Sequence, residues 1–357
     1  MRFHFIGIKG SGMSALAILL KKLGNDVQGS DTNDFIFTQN NLKKEKIKIL
    51  EYSEKNLKGI DVVIVGHAFI NSDNIELITA RKKKLKMYEY NKFIADFIEK
   101  YYSIAVSGTH GKTTTTSLIF NVLREHFSAG TLIGDGTAFI NKNSKYFVFE
   151  ACEYQDHFLV YHPNIILVNN VEWDHVDYFK SERAFAKSFY RFIENAKEQV
   201  IINGDDKYLK RVKGNNIVRF GLKKRNDYRA KKVTTSKEGI SYELYHKKKL
   251  ITKVELPYFG EHMVYNSLAA FATCSSVDIP VEKIIKGLLK FKGVKKRFAE
   301  TIINDDVYID DYAHHPSEIR ATIKAVRQKY PGKKIIAFFK GDRYSRIKIF
   351  GKKIAKN

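Results

Sequence analysis

"AVSGTHGKTTTTSLIF", Ala105–Phe120, decides how the rest of this chain is read. A phosphate-binding loop with the spacing G-x-x-x-x-G-K-[ST] would put its first glycine at position 106, where Val106 stands. The context is nevertheless that of such a loop, since the apolar run "SIAVS" precedes it and a helical pattern follows. Gly108 and Gly111 free the backbone, Lys112 can reach β- and γ-phosphates, and Thr113 can ligate Mg²⁺. Thr114 to Thr116 fill the first helical turn, where hydroxyls are expected to satisfy orphan N–H groups. β-Branched threonines propagate helices poorly, so a bare helix start does not account for four in a row.

Short apolar strands alternate with amphipathic segments on both sides of this loop. The strands are "RFHFIGI", "DVVIVG", "SIAVSG", "YFVFEA", "NIILVNNV", "EQVIING" and "KIIAFF"; the helical stretches are 13–23, 113–126, 181–196 and 317–329. This is the α/β rhythm of parallel sheets. Three blocks are expected: 1–98, 99–291 and 292–357. The first opens on "FIGIKGSGMSALAILL", with Gly7, Gly10 and Gly12 between strand and helix. The spacing is G-x-x-G-x-G rather than the dinucleotide G-x-G-x-x-G, but the physics is shared: glycines admit a phosphate, and a helix N-terminus offers N–H groups. Asp31 ends the next strand, nineteen residues after Gly12, where an acid contacts a ribose in Rossmann-like units. The pattern fits a bound nucleotide and a tight structural turn equally, and it does not separate NAD from a UDP-sugar.

The 357 residues are 44% hydrophobic and 28% charged, as in ordinary globular proteins of two or three domains. No run reaches the roughly 18 apolar residues of a membrane helix, and "MRFHFIGIKG" lacks a signal-peptide layout. Cys152 and Cys274 are too few for a disulfide framework and lack metal-site spacing, which fits a reducing cytoplasm. The net charge of +23 is spread along the chain. Runs such as Arg81–Lys84 and Lys247–Lys249 read as solvated faces, and no aromatic-interleaved RNA-binding motif appears, so no nucleic-acid partner is expected.

Glu150 ends a strand about forty residues after the loop, where a carboxylate can hold Mg²⁺ beside phosphates or simply begin a helix. His175 follows another strand end; alone, it reads as a hydrogen-bonded loop residue more readily than as a ligand. Arg297 alone reads as a surface arginine, and Asn266 as a cap or core amide as readily as a ligand contact.

Taken together, "GTHGKTTTT" and "HFIGIKGSGMSALA" resemble the Mur ligases, whose G-T-x-G-K-T loop is shortened in this way. The resemblance runs on in order through "EACEYQDHFL", "NNVEWDHVDYF", "FGEHMVYNSLAA", "GVKKRF", "DDYAHHPSEI" and "DRYSR". It implies a three-domain α/β architecture: a Rossmann-like N-terminal domain, a P-loop ATPase domain and a Rossmann-like C-terminal domain. It also implies ATP and Mg²⁺ as cofactors, with UDP-N-acetylmuramate and L-alanine as the substrates of the alanine-adding branch. Carried over residue by residue, Gly108, Thr109, His110, Gly111, Lys112, Thr113 and Thr114 hold ATP, with Asn266 and Asp311. Thr113, Glu150 and His175 hold the metal. Arg297 reaches the γ-phosphate when the domains close, and His314 lies on the amino-acid side. Gly7, Gly10, Ser11, Gly12, Met13, Ser14 and Asp31 meet the UDP-sugar. Asn170, Asp174 and Asp177 stand behind the metal ligands, and Glu153 and Asp156 face substrate. Lys187 is the nearest match to the carbamylated lysine of other Mur ligases and reads as a surface lysine.

The sequence departs from the family pattern in three places. Met263 replaces the first Asn of G-x-H-N-x-x-N, and a thioether cannot pair with an adenine edge. Lys340, Gly341 and Asp342 replace Gln, Pro and His before "RYSR". The chain stops eleven residues after Arg346, whereas a family C-terminal domain needs on the order of a hundred more; an incomplete third domain is expected. Ser317 is expected to cap the helix after Pro316. Two rivals are a non-catalytic homologue that binds UDP-sugar or ATP and the related ligase that attaches recycled tripeptide. A nicotinamide dehydrogenase leaves the ATP loop unexplained.

Overall fold

The computed structural model describes residues 1–294, 296–304, 306–341 and 343–357. The first elements are β1 (Arg2–Ile6), α1 (Ser11–Lys22), β2 (Asp26–Ser30), α2 (Gln39–Lys44), β3 (Lys48–Leu50), β4 (Val62–Val65), α3 (Ile75–Lys82), β5 (Lys86–Glu89) and α4 (Tyr90–Ile98). Then come β6 (Tyr102–Ser107), α5 (Lys112–Leu123), β7 (Ala129–Leu132), β8 (Ala138–Phe139), β9 (Tyr146–Glu150), β10 (Ile165–Val168), α6 (Glu182–Ile193), β11 (Gln199–Asn203) and β12 (Ile217–Gly221). The rest are β13 (Tyr228–Ser236), β14 (Gly239–His246), β15 (Lys249–Leu256), α7 (Glu261–Ser275), α8 (Val281–Leu289), β16 (Ala299–Ile303), β17 (Asp306–Asp310), α9 (Pro316–Lys329) and α10 (Tyr344–Ala355).

Two compact units emerge: Met1–Ile104 with Phe127–Glu150 and Val160–Pro163, and Ala105–His126 with Ala151–Leu159 and Asn164–Asn357. In the first, five parallel strands take the order β3-β2-β1-β4-β5. β1 and β4 are near-continuous buried apolar runs, as strands covered on both faces must be. α1 is buried without a break from Met13 to Leu20, which fixes the glycine loop between the end of β1 and the start of that helix. β1 also carries a buried imidazole: His4 Nε2 lies 3.2 Å from Glu76 Oε2, and Glu76 further accepts from Ser53 N–H and Asn56 Nδ2.

In the second unit the strand order is β15-β14-β13-β12-β11-β10-β6, parallel from β10 to β13 and antiparallel from β13 to β15. α7 packs on α5 and on β11–β13. α6 buries Phe185, Phe189 and Phe192 completely, each contributing about 2–3 kcal/mol of transfer free energy. Arg81–Lys84 and Lys247–Lys249 are exposed, as solvated runs should be.

The third block contains a two-stranded antiparallel hairpin, β16–β17, followed by α9 and α10. Here one expectation fails: "KIIAFF" forms no strand, and Ile336, Phe338 and Phe339 are exposed. A strand is stabilised by cross-strand pairs, and no ladder reaches this segment among the described residues. Asp342 lies outside the described residues. Among the described residues, no helix is long and apolar enough to cross a membrane.

Candidate active site

β6 delivers the loop at Ser107. Gly108 has φ 134° and Gly111 has φ 78°, both in the region that favours glycine. A Cβ at Gly108 would lie 3.0 Å from Asn169 Cβ and 3.1 Å from Asn170 N. That closeness is used: Thr109 N–H donates to Asn170 O (3.1 Å), and His110 N–H donates to Asn170 Oδ1 (2.9 Å). The residues after β10 therefore hold the loop in shape. Thr116 Oγ1 donates to Lys112 O and Ser117 Oγ to Thr113 O, both at 2.8 Å, while Thr115 Oγ1 accepts from Asn169 Nδ2. The hydroxyls at 115 and 116 thus tie the first turn to carbonyls and to the neighbouring loop, rather than capping orphan N–H groups, because a helical i−4 carbonyl is the nearer acceptor.

Lys112 folds back over the loop. Its Nζ donates to Gly108 O (2.5 Å), Thr109 O (3.2 Å) and Glu153 Oε1 (3.1 Å). Glu153 is buried and lies 3.4 Å from His175 Nε2. Burial pushes the Glu153 carboxyl up, but Lys112 and His175 outweigh it and hold the group ionised below its usual range. Glu153 Oε2, 3.0 Å from Lys112 Nζ, and His175 Nδ1 are both buried without a well-formed hydrogen bond. This donor set fits a divalent cation. Gln155, Asp156 and His175 all have left-handed φ (52°, 61° and 50°), a concentration of backbone strain at the site.

The other sequence-derived candidates have partners of their own. Glu150, in the first unit, accepts from Gly134 N–H at 2.9 Å. Asn170 supports the phosphate loop. Asp174 receives two bonds from Arg346, each 3.0 Å, and Asp177 accepts from Tyr154 OH and Arg343. Both carboxylates therefore bind the C-terminal helix. Asp156 accepts from Tyr178 OH and Ser188 OH. Lys187 is exposed.

A cavity of about 560 Å³ opens beside Gly111, Thr113 and Thr114. Tyr258, Phe259, His262, Met263 and Phe298 give it an aromatic, largely apolar wall. Burial pushes the His262 imidazole down to about 4, so it is neutral. Asn266 turns its amide toward Met263 Sδ (3.7 Å), and its Oδ1 packs on Gly111. Arg297 also lines the cavity, 3.8 Å from Glu318 and over the Tyr312 ring. Asp311 accepts from the N–H groups of Phe298 and Ala313.

The sequence did not single out the contacts that join the phosphate loop to the C-terminal block. His110 lies between Glu172 (Nε2–Oε2, 2.9 Å) and Glu318 (Nδ1–Oε1, 3.2 Å). Burial opposes charge on His110, but its bonds to Glu172 and Glu318 prevail and raise it to about 9. Ser317 is not the cap of α9. His315 is the N-cap, in a capping box with Glu318, and Ser317 Oγ instead donates to Glu172 Oε1 at 2.7 Å. Ser317 sits two positions past the N-cap, inside the helix. His314 Nδ1 pairs with Tyr312 O, and its Nε2 lies 3.9 Å from Asp174. No spacing rule links residues 110, 172 and 318; only their adjacent motifs hinted at the place.

The glycine loop of the first unit has its own bracing. Gly7 has φ 82°, with the Phe69 ring packed where a side chain would go. Gly10 is the N-cap of α1, which Ser11 and Gly12 then open. Asp31 accepts from Lys9 N–H (2.6 Å) and Thr32 N–H (2.8 Å), and Lys9 Nζ donates to the carbonyls of Thr32 and Asp34. Met13 and Ser14 are buried, with Ser14 Oγ donating to Ser11 O.

Comparisons with known proteins agree with this anatomy. Three family models match in order: the Mur ligase family catalytic domain over 2–102, the Mur ligase middle domain over 106–274, and the Mur ligase glutamate ligase domain over 296–356. The chain is 39% identical over 354 residues to the UDP-N-acetylmuramate–L-alanine ligase of Lactococcus lactis subsp. cremoris MG1363, covering 99% of this chain and 80% of that protein. The crystal structure of UDP-N-acetylmuramate-alanine ligase from Thermotoga maritima is similar with a TM-score of 0.85 at 27% identity, covering 98% of this chain and 83% of that one. A murein peptide ligase from Psychrobacter arcticus 273-4 gives 0.77 at 25% identity, covering 93% and 77%. The chain belongs to the Mur ligase family.

Proposed function

We propose that this protein joins L-alanine to the lactyl carboxylate of UDP-N-acetylmuramate, at the cost of ATP, in peptidoglycan precursor synthesis in the cytoplasm. The observation that carries this reading is the phosphate loop with Lys112, Glu153 and His175 in contact beside a cavity of about 560 Å³ with an aromatic wall. Extended similarity to alanine-adding ligases supports the choice of substrates. A non-catalytic binding protein is not favoured, since Lys112, Glu153, His175 and Arg297 are all present. We also propose 1–98, 99–291 and 292–357 as the sugar-binding, ATP-binding and closing domains.

ATP lies along Gly108–Thr114 with its base against the aromatic wall, held by shape and stacking more than by hydrogen bonds. The UDP-sugar diphosphate docks on the Gly7–Gly12 loop, where α1 presents its N-terminus. Lys112 releases Glu153 and takes the phosphates, and Arg297 meets the γ-phosphoryl as charge spreads in the transition state. Thr113, Glu150 and His175 would hold Mg²⁺, which would supply positive charge for the two anions that must meet. The γ-phosphoryl passes to the lactyl carboxylate and ADP leaves. The alanine amine then attacks the acyl phosphate carbonyl, and phosphate departs. The C-terminal block excludes water from this acyl phosphate. In this reading His314 meets the amino acid and Asp311 the nucleotide. Mass spectrometry of the product formed from UDP-N-acetylmuramate with alanine, glycine or serine tests the assignment. Only the alanine adduct should form efficiently, and no adduct at all would refute the reading.

A further inference from the structure

We propose that His110, Glu172 and His315 form a binding site for one zinc-class transition-metal ion, separate from the magnesium position of the ligase site. Among the described residues, this is a group of histidines and a carboxylate whose ligand atoms all lie within 4.8 Å of one another. The individual edges are informative. His110 Nε2 is 2.9 Å, and His315 Nδ1 3.7 Å, from the same oxygen, Glu172 Oε2. A tetrahedral ion with bonds of about 2.0–2.2 Å needs ligand–ligand edges of roughly 3.3 Å. These two edges bracket that value, and the third, between the two imidazoles, is within 4.8 Å.

The surroundings are those of a metal site. His110 presents its other nitrogen to Glu318 at 3.2 Å, the carboxylate–histidine arrangement that orients an imidazole ligand and raises its basicity. Ser317 Oγ holds the second oxygen of Glu172 at 2.7 Å. His315 is 3% exposed at its side chain, and its Nδ1 accepts from Ser317 N–H at 3.3 Å, a helix-capping bond that the ion would replace. His110, Ser317 and Glu318 line the 560 Å³ cavity, which gives an ion an entry path and leaves a fourth position for water. Two imidazoles select zinc over magnesium, which prefers oxygen ligands. His110 lies between two carboxylates, and metal binding must displace the proton it shares with them, so affinity should rise with pH.

The three ligands come from the phosphate loop, the loop after β10 and the start of α9. A bound ion therefore pins the C-terminal block onto the phosphate loop, and zinc should slow any turnover that needs this block to open. The site does not depend on the ligase assignment.

The test uses the untagged full-length chain, titrated with Zn²⁺ in about millimolar Mg²⁺. One Zn²⁺ per chain with micromolar or tighter affinity is expected, and His315→Ala and Glu172→Gln should each weaken it at least about tenfold. Co²⁺ should give the visible bands of a tetrahedral nitrogen–oxygen site, unchanged by Cys152→Ser. If His315→Ala does not fold, as judged by circular dichroism, Glu172→Gln carries the comparison. Absence of binding at about 100 μM Zn²⁺, displacement by Mg²⁺, or full retention in Glu172→Gln would overturn the proposal.

Discussion

Asp174→Asn should release α10 from the body of the second unit. The Arg346 guanidinium lies against the Asp174 carboxylate through two bonds of 3.0 Å, with side-chain exposures of 4% and 5%. Burial pushes the Asp174 carboxyl up, yet Arg346 and the neighbouring His175 hold it well below its usual range. Removing one partner of a buried pair strands the other charge and costs about 3–5 kcal/mol. The asparagine oxygen can still accept one bond, which restores about 1 kcal/mol. A net loss of roughly 2–4 kcal/mol follows, or about a 30- to 1,000-fold rise in the released population. α10 has further contacts, among them the buried Phe350. Arg343–Asp177 is an exposed pair, and Phe350 makes edge contacts with Trp173 and His315; an exposed pair contributes about 0–1 kcal/mol. Hydrogen exchange of Tyr344–Ala355 at neutral pH is the assay, with Arg346→Met and the double variant completing a cycle. A change below about 0.5 kcal/mol in Asp174→Asn, or no coupling in the cycle, would refute the claim that this pair docks the helix.

Lys112→Ala should lower turnover at least about a hundredfold, since it removes the cation that meets the phosphates; steady-state phosphate release checks this. Gly108→Ala forces a left-handed φ and a contact near 3.0 Å with Asn169, so the affinity for a non-hydrolysable ATP analogue should fall about tenfold or more by calorimetry. Docking of the C-terminal block should also depend on pH. His110 is raised in the folded state from 6.5 to about 9, so its contribution is complete below about 6.5 and disappears as pH climbs through 9. Burial opposes charge on Glu172, but His110 lowers it to about 2, so its contribution is present above about 4.5 and is lost in acid. Limited proteolysis of residues 330–345 should accelerate on both sides of that window, and a flat profile from pH 5 to 10 would contradict the His110 clasp.

The readable parts of this sequence were those set by local physics. β1, β4, β6 and β10 are buried apolar runs, and each glycine loop sits where a strand must turn into a helix. The unreadable parts depend on distant partners. "KIIAFF" has strand composition, but composition cannot supply a neighbouring strand. The threonines after Lys112 read as partners for orphan N–H groups, yet the Thr116 hydroxyl bonds the i−4 carbonyl of Lys112 instead. Glu153 stood only three residues from Glu150 in the same motif, and its burial against Lys112 needed the fold to reveal it. The His110–Glu318 contact spans more than two hundred residues, beyond any periodicity.

The most direct test of the account is phosphate release from ATP with UDP-N-acetylmuramate and L-alanine omitted one at a time. Phosphate release is expected only when both are present, with loss of either returning the rate to background. Release that continues unchanged without alanine or without the UDP-sugar, in protein shown to be folded, would contradict it.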